Sequence, residues 1–499
     1  MIYSGTIESK TGALIPLFTD GKPMHSKYNP LAEATSFEAA LPKDSKGQKA
    51  SCIVACGIGA GFHLASLVKA GRLVFAVEAD EESLSFCLQL DSVKELLQYP
   101  NFIVCTEENL CSQIVNNYLP QVHGGIVLAP HRAWEDRAIV CCSNIRSLLA
   151  LALKQVAADY SVQAHFGKLW QRNIFLNLKD FKNEKTELFF DTKKIAAVIA
   201  AGPSLDQSLQ EIQLHPDKYC VFATDTALSV LQDKGIQCDA VVSIDAQHVS
   251  LTHFENLNEK STKPRLCFFD LASCHECIQA AREAGIPTLF VHTGHPLAQL
   301  AAEEAYIPRI QAGSGTVTIA SCDIARKLGF ERIQLFGADF AYGGGKPYAK
   351  GTYLDRLYNK ASNKTLPSEQ IFSSLMYRTQ LIDRDEKTKT TEVLEGYRKT
   401  LAEWMSMHSF SQKDKVWICS SKQETFSFEK SAKDFDFTSF VKKWCFQLEK
   451  QFNEKDSKIT PYLTSLLPLV AYFQAKENQK IGFFELSKLA YSYSLRYTK

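Results

Sequence analysis

Short apolar runs that stop at small or acidic residues, each followed by an amphipathic stretch, recur along this chain and constrain its fold most. In "IAAVIAAGPSLDQSL", Ile195 to Leu209, an apolar run collapses into Ala201-Gly202-Pro203-Ser204 and then into a helix-period pattern. Run, tight turn and helix start together read as strand, loop and helix. The same reading predicts strands at Ile195–Ala200, Tyr219–Thr224, Ala240–Ile244, Arg265–Phe269, Thr288–Val291 and Arg332–Phe336. Helices are expected between most of them, at 207–213, 227–234, 277–284, 296–305 and 316–328. Such alternation implies an α/β fold with a doubly wound, mostly parallel sheet. Ligands in these sheets sit beyond the carboxyl ends of the strands.

A second, earlier block has the same form. "ASCIVACGIGAGFHLASLVKAGRLVFAVEAD" predicts a strand at 51–56, a glycine turn at Gly57–Gly61, a helix at 62–70 and a strand at 73–77. Further strands are expected at 102–105 and 125–128. Before it, residues 1–50 are polar and turn-rich and fit a small β unit. From Ala138 to about Asp180 the pattern is helical without proline. Past Phe428 it is helical and charged. A chain of 499 residues exceeds one ordinary core. The expected division is a Rossmann-like domain over 1–165, a central domain over 166–430 and a small helical domain over 431–499.

Hydrophobic residues make up 45% and charged residues 22%, a balance that fits a folded chain. The formal net charge of +1 provides no global field toward nucleic acid or membrane. No apolar run is expected to reach the roughly 18–20 residues of a membrane span, and no secretory signal is evident. Fifteen irregularly spaced cysteines fit reduced thiols in a cytoplasm. Cys274 and Cys277 form a CxxC around His275. Structural zinc takes four ligands and the spacing gives two, so thiols are the expectation.

The N-terminal turn, Gly57-Ile58-Gly59-Ala60-Gly61, follows a strand and opens a helix. Glu78 ends the next strand, where an acidic residue can bind ribose hydroxyls. A nucleotide or S-adenosylmethionine pocket is one reading. The preferred one is a retained scaffold, because no catalytic motif follows in this half.

The central block carries the stronger signals. Gly202 permits close backbone approach, Pro203 has no N–H to leave unpaired, and Ser204 offers a hydroxyl and an N–H at a helix start. Gly313-Ser314-Gly315-Thr316 repeats the device. Two such starts in one sheet point to a phosphate-bearing nucleotide. "VFATDTALSVL" ends a strand at Thr224 and Asp225, and "VVSIDAQ" ends one with Ser243, Asp245 and Gln247. These groups can read ribose and base, hold a divalent cation, or simply cap helices. Finally, "IQLFGADFAYGGGKPYAKGTY" ends a strand at Gly337-Ala338-Asp339. Its glycine-rich loop carries Tyr342, Lys346, Tyr348 and Lys350. A mobile loop with phenol hydroxyls suits a departing phosphate; the plainer reading is a surface loop.

These stretches resemble the motility-associated factor (Maf) glycosyltransferases. "VIAAGPSLD", "ATDTAL", "VVSIDAQ", "AGSGTVTIASCDIARKLGFERIQLFGADFAY" and the upstream "FGKLWQRNIFLNL" carry the likeness, which covers most of the chain. That family has a central domain similar to hydroxymethylpterin diphosphokinase-like proteins and to bacterial sialyltransferases that use a CMP-activated sugar. The resemblance implies nucleotide contacts from Gly202, Pro203, Ser204, Thr224, Asp225, Asp245, Ser314 and Gly315. Ala201 replaces an asparagine of the sialyltransferase motif. It implies that Tyr342 and Tyr348 hold the leaving phosphate. It also implies a donor such as CMP-linked pseudaminic or legionaminic acid as substrate and flagellin as acceptor; no cofactor is assigned, and a divalent cation is an open option. No general base is assigned; His292, His295 and His408 lack a matching motif. The expected function is flagellin O-glycosylation, required for flagellum assembly and motility. The alternatives are a pterin diphosphokinase with magnesium on Asp225 and Asp245, and a non-catalytic flagellin-binding export factor.

Overall fold

Parallel pairing follows from the strand–helix alternation, and two separate sheets realise it. The computed structural model describes the chain except residues 44–46, 48, 182–189, 256, 259–261, 314, 422–424, 427–434, 455–458, 477–480 and 499. By its internal contacts it divides into two compact units, Met1–His165 with Val470–Leu486, and Phe166–Leu469 with Ser487–Lys499.

The first unit begins with a hairpin, β1 (Tyr3–Glu8) and β2 (Leu14–Phe18), followed by a helix at Pro30–Ala39. Four parallel strands follow: β3 (Cys52–Cys56), β4 (Leu73–Val77), β5 (Phe102–Cys105) and β6 (Ile126–Pro130). They lie in the order β5-β4-β3-β6. Every residue of β3 and β4 is buried, as strands covered on both faces must be. The helix Phe62–Lys69 starts at Gly61, and its Leu64, Leu67 and Val68 are buried.

The second unit holds β7 (Ile195–Ile199), β8 (Tyr219–Thr224), β9 (Ala240–Ser243), β10 (Cys267–Asp270), β11 (Thr288–Val291) and β12 (Arg332–Phe336). A small antiparallel sheet follows, from β13 (Tyr342–Gly343), β14 (Ile382–Asp383) and β15 (Thr388–Thr390). The hairpin β16 (Phe410–Lys413) and β17 (Val416–Cys419) closes the main sheet, whose order is β11-β10-β9-β8-β7-β12-β17-β16. The first six strands are parallel. β17 is antiparallel to β12, a pairing that the polar stretch around 410–419 did not signal in the sequence. Strand ends fall within two residues of the expected ones.

One helix, Ile139–Lys179, is long and apolar enough by length and composition to cross a membrane, although no unbroken apolar run is. Within the first unit its Ile145, Ala152 and Val156 belong to the hydrophobic core. The C-terminal helices do not form the separate domain expected over 431–499. Residues 470–486 cluster with the first unit, and the rest of that stretch with the second. The reason is visible at Trp444 on the helix Phe437–Glu454. Its ring is fully buried, lies 5.3 Å from Phe175 and donates to Ser465 Oγ at 2.9 Å.

Candidate active site

The chain leaves β7 toward β8 on one side, and later returns to place β12 on the other. Between β7 and β12 the winding reverses, and such a reversal opens a crevice at the carboxyl ends of the strands. Ile199 stands opposite Phe336 there, and the ladder continues past both strands through Ala200 N to Phe336 O and Gly202 N to Gly337 O, each 2.8 Å. Gly337 makes the corner with φ +62°; a Cβ there would stand 2.4 Å from Ala200 O. The opening turn and the end of β12 therefore meet at the switch point.

The Ser204 N–H and hydroxyl of the turn already hold an anion, and it is the chain's own. Ser204 N donates to Asp339 Oδ2 at 2.8 Å, and the Ser204 hydroxyl donates to Asp339 Oδ1. A Cβ at Gly202 would lie 2.5 Å from that carboxylate, so glycine is what lets Asp339 enter. The helix Leu205–Leu214 begins at this point, and its dipole favours the negative charge. Backbone strain stands next to it: Phe340 has φ +47°, uncommon for a residue other than glycine. Arg384 clamps this corner, donating to Asp339 O at 2.7 Å and Phe340 O at 2.9 Å, and Thr390 Oγ1 donates to Phe340 O at 2.8 Å.

The glycine-rich loop is not the free lid expected from three consecutive glycines. Gly343 and Lys346 exchange two backbone hydrogen bonds, and Tyr342 pairs with Lys389 of β15. The loop then returns to the turn, with Ala349 N to Ala201 O at 2.9 Å and Lys350 N to Asp206 Oδ1 at 3.0 Å. The backbone next to Tyr342 and Tyr348 is thus brought against Pro203 and Ala201. Both tyrosine side chains are half-buried, and neither hydroxyl has a hydrogen-bond partner among the described residues. Burial raises the Tyr348 hydroxyl to about 12, with Tyr353, Tyr342, Tyr358 and Asp225 adding to it, so it remains a proton-bearing donor at neutral pH.

Asp225 and Asp245 are held by their own loops. Asp225 accepts from Thr226 N at 2.7 Å and from Ser243 Oγ at 2.7 Å. Asp245 accepts from Gln247 N at 2.9 Å and from Ser250 Oγ at 3.0 Å, which starts the short 3-10 helix His248–His253. Thr224 is buried with its hydroxyl unpartnered at the end of β8. His253, which the sequence did not single out, is buried between these carboxylates and Tyr353, whose ring lies 4.7 Å away. Burial lowers its pKa, against the opposing pull of Asp225 and Asp245, so the ring is neutral at pH 7. Its Nδ1 has no partner.

The other candidates stand apart. Gly315 has φ +90° and open space around it, and its N–H returns to Ala312 O; no contact joins it to the tyrosines or to Ser204. Its helix, Val317–Lys327, starts on the same edge of the sheet, capped by Thr316. Ser314 lies outside the described residues. His295 caps the helix Pro296–Ala305 through Leu297 N at 3.2 Å, and burial takes it down to about 3. His292 lines a groove with Arg309 and Lys327, and His408 bonds Trp404 O at 2.8 Å.

The segment "FGKLWQRNIFLNL" acquires a role that its sequence could not disclose. Asn173 donates to Ala246 O and Ala272 O, both at 3.1 Å, and Asn177 donates to Leu271 O at 2.9 Å and Ser273 O at 3.0 Å. Two amides on one helix face thereby fasten the loops that follow β9 and β10.

In the first unit the glycine turn is filled by protein. Space above Gly57 is taken by Trp134 and above Gly59 by His25 and Met24, all within 2.8 Å of where a Cβ would stand. His25 Nε2 accepts from Ala60 N at 3.0 Å. Glu78, the candidate ribose ligand, is fully buried. It accepts from Trp134 Nε1 at 2.5 Å, Ile58 N and Ala79 N at 3.0 Å, and Tyr3 Oη at 3.2 Å. Carboxylate and turn are both satisfied within the unit, as a scaffold requires.

Comparison with known proteins bears on the fold. Residues 172–345 match the family described as 6-hydroxymethylpterin diphosphokinase MptE-like. An uncharacterised protein of Treponema pallidum (strain Nichols) is 36% identical over 151 residues, which are 30% of this chain and 72% of that protein. The chain belongs to the family of that Treponema protein. A second uncharacterised protein of the same organism shares 27% identity over 234 residues, 46% of this chain and 75% of the relative. Among solved structures, the Maf glycosyltransferase from Magnetospirillum magneticum AMB-1 matches with a TM-score of 0.53 at 13% identity. The match covers 99% of this chain and 87% of that one. This member of the family therefore has a Maf glycosyltransferase fold along nearly its whole length.

Proposed function

We propose that this chain is a glycosyltransferase that moves a nonulosonic sugar from a CMP-activated donor to Ser or Thr hydroxyls of flagellin, in the cytoplasm. The observation that carries the reading is the approach of Tyr342 and Asp225 to Tyr348 beyond the carboxyl ends of a sheet whose fold matches 87% of a Maf glycosyltransferase chain. The acceptor oxygen attacks the anomeric carbon, the bond from that carbon to the phosphate oxygen breaks, and CMP leaves. Tyr342 and Tyr348 donate hydrogen bonds to the departing phosphate as its charge develops. His253, neutral and with a free Nδ1, takes the acceptor proton. Thr224, Asp225 and Asp245 face the nucleoside.

The test is incubation of the purified protein with a CMP-nonulosonic acid and flagellin, read by intact mass. One sugar mass gained per modified residue, with CMP released, supports the reading. Unchanged flagellin in the assay and in cells lacking the gene overturns it. The match over 172–345 favours a second reading, pterin diphosphokinase. Release of AMP from ATP with hydroxymethylpterin, in place of CMP release, would select it.

A further inference from the structure

The CxxC of the second unit lacked two ligands in the sequence, and the fold supplies them. Cys274 caps the helix His275–Glu283, and Cys277 sits in its first turn. His275, the residue the motif encloses, turns away and bonds Asn177 Oδ1 at 2.8 Å. Glu276 turns toward the thiols instead, with Cys274 Sγ 3.3 Å from Glu276 Oε2. His248 arrives from the 3-10 helix after β9. Ligand atoms of His248, Cys274 and Glu276 all lie within 4.8 Å of one another. Cys277 lies outside that group, but it stands in the same first helical turn, beside Cys274.

We propose that His248, Cys274, Glu276 and Cys277 form a tetrahedral zinc site. Zinc takes sulfur, imidazole and carboxylate ligands at about 2.0–2.3 Å, which places ligand atoms about 3.3–3.8 Å apart. The Cys274–Glu276 contact already has that spacing. Binding displaces one proton from each thiol. Two thiolates and one carboxylate then carry three negative charges, zinc returns two positive ones, and Arg172 returns the third through its 2.7 Å bond to Glu276 Oε1. The helix N-terminus favours both thiolates. His248 is exposed while both cysteines are buried, so the metal enters from the His248 side. Cys274 N donates to Asp245 O at 2.9 Å, so an occupied site ties the loop that carries Asp245 and His253 to the helix His275–Glu283. The inference is independent of the proposed reaction.

The test uses the full chain, reduced and stripped of metal, then titrated with cobalt(II) and zinc. Expected are one metal per chain, a sulfur-to-cobalt band in the near ultraviolet, intense visible bands of tetrahedral cobalt, and their loss when zinc is added. Cys274→Ser and Cys277→Ser should each weaken the sulfur-to-cobalt band. Arg172→Gln, outside the ligand set, should lower zinc affinity by about 10–100-fold. Three results overturn the site: no stoichiometric metal; binding without a sulfur band, as His25, Glu33 and His131 of the first unit would give; or a Cys274–Cys277 disulfide that persists after reduction.

Discussion

Asp339 and Ser204, 135 residues apart, meet where a helix N-terminus would otherwise receive a ligand anion, the carboxylate taking both the N–H and the hydroxyl of the serine. A donor phosphate approaching Gly202–Ser204 must share or displace that carboxylate. Asp339→Asn keeps the shape and removes the charge. The folded protein should lose about 1–3 kcal/mol in urea unfolding, as expected when hydrogen bonds to a charged group are weakened. Calorimetric CMP affinity should rise, because like-charge competition at the turn is gone. A fall in affinity would instead make Asp339 a donor contact.

The two tyrosine hydroxyls have no partner among the described residues, so their loss removes no internal hydrogen bond. Tyr348→Phe should lower sugar transfer by about 10²–10³-fold while CMP binding changes little, the pattern of a contact made mainly in the transition state. Tyr342→Phe should follow in the same direction. Parent rates in both variants would return the loop to a merely structural role.

His25, His63 and His131 meet ring to ring in the first unit, with centroids 4.9–5.4 Å apart and Glu33 as the charge facing His25 and His131. Burial lowers His63 and takes His131 from 6.5 to about 4. Between those pH values the unfolded chain binds more protons than the folded one. Stability is therefore full above about pH 6.5 and falls as the pH drops toward 4, by about 3 kcal/mol from His131. Urea unfolding of the first unit at stepped pH checks the slope, and His63→Leu should flatten it.

Asn177→Ala leaves Leu271 O and Ser273 O without their side-chain donor. A loss of about 1–3 kcal/mol is expected, together with faster hydrogen exchange in the loop after β10. An unchanged exchange rate would show that the loop is held by other contacts.

S-adenosylmethionine and NAD should not raise the melting temperature, since His25, Met24 and Trp134 occupy the space above the glycine turn. A ligand of the native state at a hundredfold excess over its Kd would add about 2.7 kcal/mol, which a thermal scan detects.

The strands were legible because each is a run of five or so apolar residues closed by a small or acidic one, a pattern that only a two-sided sheet satisfies. The Ser204 turn was legible as an anion cradle for the same local reason. Its occupant was not, because nothing near Gly202 announces Asp339. His253 escaped notice because its neighbours are assembled by a 3-10 helix that no periodicity marks. The CxxC pointed to His275, the residue between its cysteines, whereas helix geometry turns Glu276 inward and tertiary folding brings His248. Arg384 and Asn173 act on backbone carbonyls, and a carbonyl leaves no trace in a sequence.

The filled glycine turn of the first unit bears on how that unit is assembled. What a diffusing small molecule does for a holoenzyme is done here by residues near the front of the same polypeptide, chiefly Met24 and His25. For these two residues the stoichiometry is one to one by synthesis. Cutting the chain just after His25 and separating the pieces would be the counterpart of stripping a prosthetic group, and adding the severed peptide back would be the counterpart of reconstitution.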